Sequence, residues 1–360
     1  MNRVTVWLAL NALAFGVAFA AIDVAQAIEA PADAASAGPI PAQPSKVLAP
    51  LIGEYGVGEE LVTVYEAGGR LHATGPHLDD VTLFEDGLRE FTAAGTGHDK
   101  TRFAFHVDAA GHCDAVSISG AQWPAGTKWP RRDVGAEAVA AIRSGLEADP
   151  AVLRTAALAA APPAEPTPKR PMDLVALSTI DPGLKFDIRY ATTNNFMGFP
   201  LYEQADAFLQ RPAAQALGRV VKSLRSKGYG ILVYDAYRPW FVTRMFWDAT
   251  PPKSRIFVAD PAKGSRHNRG CAVDLTLYAL RTGQPEEMTS RYDEFSRRAY
   301  PDYVGGTSRQ RWLRDLLRRE MESAGFTVYP EEWWHFDYNG WQDYGIGNET
   351  FSELRASADG

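Results

Sequence analysis

Two stretches rich in alanine and proline, residues 28–50 and 149–171, divide this chain of 360 residues. Proline lacks an amide proton, and neither stretch shows a helical or strand-like hydrophobic period. We therefore expect both to be extended linkers rather than parts of a core. They separate a smaller segment, residues 51–148, from a larger one, residues 172–360, and so predict two domains of ordinary size.

The first 27 residues have the composition of a secretory signal peptide. Arg3 precedes an almost uninterrupted apolar run from Val4 to Ile22, and Ala25-Gln26-Ala27 follows as a small-residue cleavage site. An uncleaved membrane anchor is the alternative, because an apolar run of this length nearly spans a bilayer. Cleavage after Ala27 predicts an exported protein, periplasmic or secreted, that is free of the membrane.

Charge and cysteine content argue against several classes of protein. The net charge of −7 disfavours a nucleic-acid-binding protein, which normally needs a basic surface. Two cysteines, Cys113 and Cys271, are too few for a disulfide scaffold or a cysteine-rich zinc module. A disulfide between them would require the two domains to dock closely and is not favoured.

The smaller segment is predicted to be a small β-rich domain of unassigned role. Apolar and polar residues alternate, as in strands, over 62–65, 103–107 and 116–119, and a helix is expected from about Val134 to Leu146. The spacings of its histidines match no pattern of metal ligands, so we expect surface or strand residues. These histidines are His72, His77, His98, His106 and His112.

The larger segment mixes helices and short strands without a βαβ repeat, which predicts an α+β fold. Apolar residues at helical spacing predict a helix over 213–224. Residues 231–234 are predicted to form a short strand. Thr307 and Gln310 match a capping box that begins a second helix.

His267 and His335 are the histidines of the larger segment, and each lies in a stretch dense in polar residues. A catalytic zinc commonly takes three histidine or carboxylate ligands, and His267, Asp274 and His335 supply such a set. Glu332 is a candidate general base, because hydrolysis needs a carboxylate beside a zinc-bound water. Glu332 and His335 would share a face on a helix but not on a strand, so the chain is expected to bend there or to approach the metal obliquely.

The residues around Asp274 suggest how it faces the site. If 270–275 is a strand, Gly270, Ala272 and Asp274 share one face, and Asp274 points into the site past two small residues. Cys271 then faces the core and is not a ligand.

Arg238 is a further candidate, in the stretch Asp235-Ala236-Tyr237-Arg238-Pro239. The following proline restricts Arg238 to extended backbone at the end of the predicted strand. An arginine held in this way can pair with the oxyanion of a tetrahedral intermediate, an interaction typically worth about 3–4 kcal/mol. A solvated loop arginine is the alternative when this stretch is considered alone.

Taken in order, these stretches resemble the zinc D-alanyl-D-alanine dipeptidases of vancomycin resistance and bacterial cell-wall recycling. The resemblance covers nearly all of 172–360 and implies an α+β zinc D,D-peptidase fold with a small central antiparallel sheet. It also implies one Zn²⁺ per chain and hydrolysis of D-Ala-D-Ala to two D-alanines. It rests on Ile188-Arg189-Tyr190-Ala191-Thr192 with Asn195-Phe196 and Gly198, Tyr237-Arg238-Pro239, Ser265-x-His267-x-x-Gly270-x-Ala272-x-Asp274-Leu275-Thr276-Leu277, Tyr292-Asp293, and Glu332-Trp333-Trp334-His335.

The resemblance implies a role for each site residue. The roles are zinc ligation by His267, Asp274 and His335, catalysis by Glu332 as base and Arg238 as transition-state stabiliser, and substrate binding by Tyr190, Ser265 and Asp293.

Well-known members of this family are cytoplasmic and lack an N-terminal domain, so turnover of cell-wall dipeptides in the periplasm is favoured over glycopeptide resistance. The alternative is a related zinc D,D-carboxypeptidase or peptidoglycan endopeptidase, which cuts longer peptides; Tyr190 and Asp293 favour the dipeptidase. A non-catalytic cell-wall-binding protein on a decayed scaffold is a third hypothesis, against which the intact ligands and Glu332 argue. The expected partner is a small D,D-dipeptide, and the sequence leaves the oligomeric state open.

Overall fold

The N-terminal part of the chain forms a closed barrel of eight antiparallel strands, the first of which pairs with the last. The computed structural model describes residues 38–58, 60–94, 101–123, 128–144, 149–252, 255 and 258–358. The signal peptide predicted at 1–27 lies outside the described residues, as does His98. The strands are β1 (Gly53–Val57), β2 (Glu60–Ala67), β3 (Arg70–Gly75), β4 (Leu78–Gly87), β5 (Glu90–Ala94), β6 (Arg102–Val107), β7 (Cys113–Ser119) and β8 (Lys128–Arg132).

The barrel confirms the β-rich domain expected from the alternating pattern. Val62, Val64, Phe103 and Ile118 are buried inside it, while their polar neighbours point outward. A helix, α1 (Val134–Ser144), follows the barrel where one was predicted.

The expectation of an extended linker over 149–171 is wrong for its first half, which forms helix α2 (Pro150–Ala159). Asp149 caps this helix by accepting a hydrogen bond of 2.7 Å from the amide of Ala151, and proline is tolerated in the first turn. Leu153 and Ala157, one turn apart, are buried. Val152 and Leu158 are apolar too but are exposed, so the apolar residues of this helix show no one-sided period, and tertiary packing of the buried pair decides its position.

The C-terminal region, residues 172–360, combines helices with a five-stranded and a two-stranded sheet. Its elements are β9 (Leu174–Ala176), β10 (Leu184–Phe186), β11 (Phe208–Gln210), α3 (Arg211–Ser226), β12 (Tyr229–Asp235), α4 (Trp240–Ala249), β13 (Ala272–Ala279), α5 (Ser308–Ser323), β14 (Phe326–Tyr329), β15 (Glu332–Tyr338) and α6 (Phe351–Ala358). The strand order of the larger sheet is β10-β12-β13-β15-β14, and the smaller sheet pairs β9 with β11.

This arrangement confirms the α+β class but corrects the expected antiparallel sheet. Strand β10 runs parallel to β12, because the chain crosses over through α3 between them, and the other pairings of this sheet are antiparallel. Helix α3 covers the helix predicted over 213–224. The capping box of Thr307 and Gln310 begins α5, as predicted.

The barrel is docked onto the C-terminal region, and residues 39–360 form one compact unit. Glu66 of β2 accepts a hydrogen bond of 2.8 Å from the amide of Ser308, and Arg311 donates to the carbonyl oxygen of Glu66 at 2.7 Å. Tyr303 donates to Glu54 Oε1 at 2.9 Å. The domain boundaries predicted at 148 and 172 stay predictions.

Cys113 and Cys271 are both buried free thiols in the structure. Across the described ranges of the chain, no helix combines the length and the apolar composition needed to cross a membrane.

Candidate functional site

The three candidate metal ligands come from the central sheet and the turn beside it. Asp274 on β13 and His335 on β15 are directly paired across neighbouring strands, so their side chains share a face. His267 lies in a single 3-10 turn, His267–Arg269, just before β13. Gly270 ends that turn with a left-handed backbone (φ +64°), which favours glycine, and a Cβ there would also push Leu174 Cδ2 aside from 2.3 Å.

The expectation that 270–275 is one strand is therefore wrong at its start, because the amides of Gly270 and Cys271 bond back into the turn. Strand β13 begins at Ala272, which still shares a face with Asp274. Cys271 is fully buried, and burial raises the pKa of its thiol to about 12, so it stays a neutral core residue.

The ligand atoms of the three side chains converge on one point. His267 Nε2 lies 3.1 Å from His335 Nδ1 and 3.3 Å from Asp274 Oδ1, and the latter two atoms are 3.0 Å apart. One ion can reach all three atoms at these separations with bonds of roughly 2.0–2.2 Å, the range for zinc. Among the residues that the structure describes, these three buried side chains form the group whose ligand atoms lie close enough together to hold a metal ion.

The outer atoms of both imidazoles are held by protein acceptors. His267 Nδ1 lies 2.6 Å from the carbonyl oxygen of Ala236, and His335 Nε2 lies 2.9 Å from Asp337 Oδ1. Each acceptor calls for an N–H on the outer nitrogen, which leaves a lone pair on the inner nitrogen of each neutral ring. This is the usual way in which a protein orients imidazoles toward a metal ion.

Asp274 completes a donor set that fits a divalent cation. Its Oδ2 accepts a hydrogen bond of 2.9 Å from Tyr292, whereas its buried Oδ1 has no hydrogen-bond partner among the described residues. Burial opposes ionisation of Asp274, but the two histidines outweigh it and hold its pKa well below the usual range. Burial lowers the pKa of His335, yet Asp337 and Asp274 raise it to about 10, so a metal ion bound between the ligands would replace a proton on the inner nitrogen of this ring. The site thus favours positive charge between its ligands, and two imidazoles with a carboxylate fit zinc.

Glu332 reaches the same centre because β15 bulges directly after it. Tyr329 pairs with Glu332 while its neighbour pairs with Phe336, so residues 333–335 are extra on β15. Of the two alternatives predicted from the spacing, the structure therefore shows the bend, and it brings Glu332 Oε2 to 3.7 Å from His335 Nδ1. Burial raises the pKa of Glu332 to about 7 against the opposing charge of His335, which suits a group that accepts and returns a proton.

Arg238 follows the end of β12, as expected, and it is buried, which excludes the alternative of a solvated loop arginine. Its Nε and Nη2 donate to Asp235 Oδ2 at 3.0 and 2.8 Å, and Tyr202 donates to the other oxygen at 2.6 Å. The guanidinium lies over the rings of Tyr190 and Phe246. Burial alone would lower the pKa of Arg238, but Asp235 raises it well above its usual value.

Tyr190 and Asp293 form a pair at another side of the site. The tyrosine hydroxyl donates to Asp293 Oδ1 at 2.9 Å, while the buried Oδ2 has no hydrogen-bond partner in the described ranges. Asp293 has a left-handed backbone (φ +56°), which is uncommon for a residue other than glycine. Burial, and then the charge of Asp274, raise the pKa of Asp293 well above its usual value. Ser265 Oγ accepts a hydrogen bond of 3.2 Å from the amide of His267.

One cavity of about 360 Å³ connects all of these groups, and its size is at the small end of ligand-binding pockets. Aromatic rings such as Phe196, Phe246 and Trp334 form much of its remaining wall. Every site residue predicted from the sequence lines it: Tyr190, Arg238, Ser265, His267, Asp274, Asp293, Glu332 and His335.

Three supporting residues had no assigned role in the sequence-based hypothesis: Asp235, Tyr292 and Asp337. Asp337 could have been found, because residues two apart on a strand share a face and Asp337 follows His335 by two. Asp235 and Tyr292 carry no such signal, since their contacts depend on how separate elements pack.

Comparison with known proteins finds a matching family and relatives, and the family match falls in the C-terminal region. A family model described as D-ala-D-ala dipeptidase matches residues 170–355. The D-alanyl-D-alanine dipeptidase of Escherichia coli (strain K12) is 33% identical over 180 residues, which cover 50% of this chain and 92% of that protein. The one from Enterococcus faecium is 34% identical over 178 residues, 44% of this chain and 88% of that protein.

Among solved structures, an LD-carboxypeptidase, LdcB, matches with a TM-score of 0.28 and 17% identity over 53% of this chain and 75% of that chain. That likeness is too weak to carry an argument about fold or substrate.

Proposed function

The chain belongs to the D-ala-D-ala dipeptidase family of metallopeptidases, and we propose that it hydrolyses the D-Ala-D-Ala dipeptide to two molecules of D-alanine. The observation that carries the substrate assignment is the buried, unpartnered carboxylate oxygen of Asp293 in the same cavity as the candidate metal ligands. The two relatives described above are named D-alanyl-D-alanine dipeptidase, and these names support D-Ala-D-Ala as the substrate.

One Zn²⁺ per chain is the proposed cofactor, and His267, Asp274 and His335 would hold it. The converging inner nitrogens and the orphaned Asp274 Oδ1 support this assignment. A bound zinc ion would supply Lewis acidity and lower the pKa of a water molecule.

Glu332 is the proposed general base. Its carboxylate lies beside the ligand set, and its pKa of about 7 lets it take a proton from the attacking water and pass it to the leaving amino group. Arg238, kept charged and fixed by Asp235, is proposed to stabilise the oxyanion that forms in the transition state.

Asp293 is proposed to bind the ammonium group of the dipeptide, with the Tyr190 hydroxyl holding its other oxygen in place. A buried carboxylate oxygen without a partner is costly, and a substrate ammonium group would satisfy it. Ser265 lines the same cavity and is proposed to contact the substrate as well. The small volume of the cavity also suits a dipeptide.

The proposed cellular role is turnover of D,D-dipeptides from the cell wall by an exported enzyme. The signal-like sequence at residues 1–27 supports export. Expression with the native N-terminus, fractionation and mass spectrometry should find a mature protein in the periplasm or medium that begins at Ile28. A cytoplasmic protein that keeps Met1 would contradict export.

The decisive assay compares free D-Ala-D-Ala with N-acetyl-D-Ala-D-Ala and a stem pentapeptide ending in D-Ala-D-Ala. The zinc-loaded protein should cleave the free dipeptide and leave both acylated substrates intact, because acylation removes the charge that Asp293 recognises. Asp293→Asn should raise KM for the free dipeptide. Efficient release of D-alanine from the acylated stem would replace this proposal with a D,D-carboxypeptidase.

A further inference from the structure

Two loops meet to form one wall of the catalytic cavity. The first, residues 195–198, contributes Phe196, and the second, residues 291–296, contributes Asp293 and Phe295. The rings of Phe196 and Phe295 touch with their centroids 5.1 Å apart, so the two loops close against each other. We call them the wall loops.

Helix α1 follows the barrel, and a residue near the C-terminal end of this helix makes hydrogen bonds to the first wall loop. Arg143 donates from Nε to the carbonyl oxygen of Phe196 at 3.1 Å and from Nη2 to that of Asn195 at 2.6 Å. A Cβ on Gly198, which has φ +79°, would lie 3.3 Å from Arg143 Nε. One arginine of the N-terminal extension, the barrel and α1 together (residues 53–144), therefore fixes two consecutive carbonyl groups of this loop.

The first turn of α1 packs on the second wall loop. A Cβ added to Gly135 would lie 2.3 Å from Glu294 Cγ, so the helix backbone rests directly on this buried glutamate. Just before the helix, Asp133 pairs with Arg291 at 3.3 Å and with Arg298 at 3.8 Å. The helix thus holds both wall loops, one near each end.

A second cavity, of about 520 Å³, lies between α1 and the wall loops. Phe196, Asp293 and Glu294 line both this space and the catalytic cavity, so the wall between them is a single layer of side chains. If the wall loops moved apart, the two spaces would join, and a group attached to the substrate's amino end would have room behind Asp293.

We propose that the N-terminal extension, through Arg143 and Gly135 of α1, braces the wall behind Asp293 and so sharpens the enzyme's preference for substrates with a free amino terminus. This inference rests on the proposed dipeptidase function. Helix α1 lies outside the family match at 170–355, so this bracing of the wall loops is a contribution of this chain's own extension. Arg143 and Gly135 act through the loops and are positioning residues rather than catalytic ones.

The main test measures kcat and KM of the full-length, zinc-loaded Arg143→Ala variant on free and N-acetylated D-Ala-D-Ala. We expect KM for the free dipeptide to rise about fivefold with kcat within about twofold, because a mispositioned Asp293 weakens binding rather than chemistry. The ratio of kcat/KM for the acetylated over the free dipeptide should rise about tenfold or more. Arg143→Lys, which can donate to one of the two carbonyl groups, should recover part of both effects.

Gly135→Ala provides a second variant that is not expected to weaken the helix. Alanine favours helix more than glycine does, so any change in selectivity must come from displacement of Glu294. The matched control is Arg311→Ala, which also removes an arginine bond between the barrel and the C-terminal region but touches neither wall loop. A purely structural role for Arg143 would lower stability in R143A and R311A alike without changing KM or selectivity.

Unchanged KM and selectivity in both R143A and G135A, with wild-type selectivity for the free dipeptide, would overturn this inference and leave the dipeptidase function standing. A wild-type enzyme that cleaves both dipeptides equally would overturn both. Hydrogen–deuterium exchange adds a readout independent of activity: amides of 195–198 and 291–296 should exchange faster in R143A than in R311A. Equal protection in the two variants would count against the positioning role.

Discussion

The barrel and the C-terminal region bury different kinds of interior. The barrel encloses an apolar core, in which Tyr55 and Phe103 are among the largest fully buried side chains. The C-terminal region has an apolar core too, but it also buries ionisable side chains at its centre: Asp235, Arg238, His267, Asp274 and His335. Burying charge is costly unless the charges are paired, so a fold keeps such a cluster where it performs chemistry.

The carboxylates that the barrel does bury have a different purpose. Glu54 and Glu66 accept hydrogen bonds from Tyr303 and Ser308, so they face the C-terminal region and not the barrel core. The barrel histidines that the structure describes make local contacts. His106, for example, forms a hydrogen bond with Ser117 on the neighbouring strand. The buried carboxylates of the barrel thus serve its contact with the C-terminal region, while the candidate metal site lies in the C-terminal region.

The largest expected effect separates the two regions by metal content. His267→Ala should lose its bound zinc and its activity on D-Ala-D-Ala, because two ligand atoms remain where a stable site needs three. His106→Ala, in the barrel, should keep one zinc per chain and normal activity. Elemental analysis of both purified variants checks this, and stoichiometric zinc with wild-type affinity in H267A would refute the ligand assignment.

Removal of the base should be nearly as severe but should leave the metal in place. Glu332→Ala is expected to lower kcat by about 10²–10⁴-fold with zinc retained. As the proposed base, Glu332 would act only when deprotonated, and its pKa in the wild type is raised to about 7. Activity should therefore fall as the pH drops, with the acid limb of kcat/KM at or below pH 7. Near-normal turnover in E332A together with a loss in E331A would transfer the role to Glu331.

A core substitution in the barrel should change stability without changing catalysis. Phe103 is fully buried, and Phe103→Ala should lower the free energy of unfolding of the barrel by about 3–5 kcal/mol, since it leaves a cavity. Urea unfolding followed by tryptophan fluorescence measures this loss. The folded, zinc-loaded fraction should keep wild-type kcat/KM, and a parallel loss of kcat/KM would show that the two interiors are coupled.

The smallest expected effect concerns the residue that orients a ligand. Asp337→Asn weakens the acceptor for His335 Nε2, and such changes typically reduce metal affinity by about 10–100-fold. A zinc titration in competition with a chelator measures the affinity, and excess zinc should restore most of the activity. Wild-type affinity in D337N would mean that the imidazole is oriented by packing alone.

Much of the site could be predicted from the sequence, because its chemistry resides in residue types at short spacing. The pair of histidines in the larger segment, the aspartate seven residues after His267 and the glutamate three before His335 indicate a hydrolytic metal site without any coordinates. The barrel strands followed from alternating apolar residues. Helix α2 was missed because its apolar residues lie on exposed as well as buried faces, within a stretch rich in alanine and proline.

The sequence by itself determined which groups can bind metal and move protons, and where strands and helices could form, since these depend on side-chain chemistry and local periodicity. Only the tertiary structure decided that His267 and His335, 68 positions apart, share one point, and that Tyr190 bonds to Asp293, 103 positions away. It also decided that the barrel closes, that one sheet edge runs parallel and that α1 holds the wall loops. The physical reason is that strand register and helix docking bring together residues whose separation in the chain leaves no local pattern to detect.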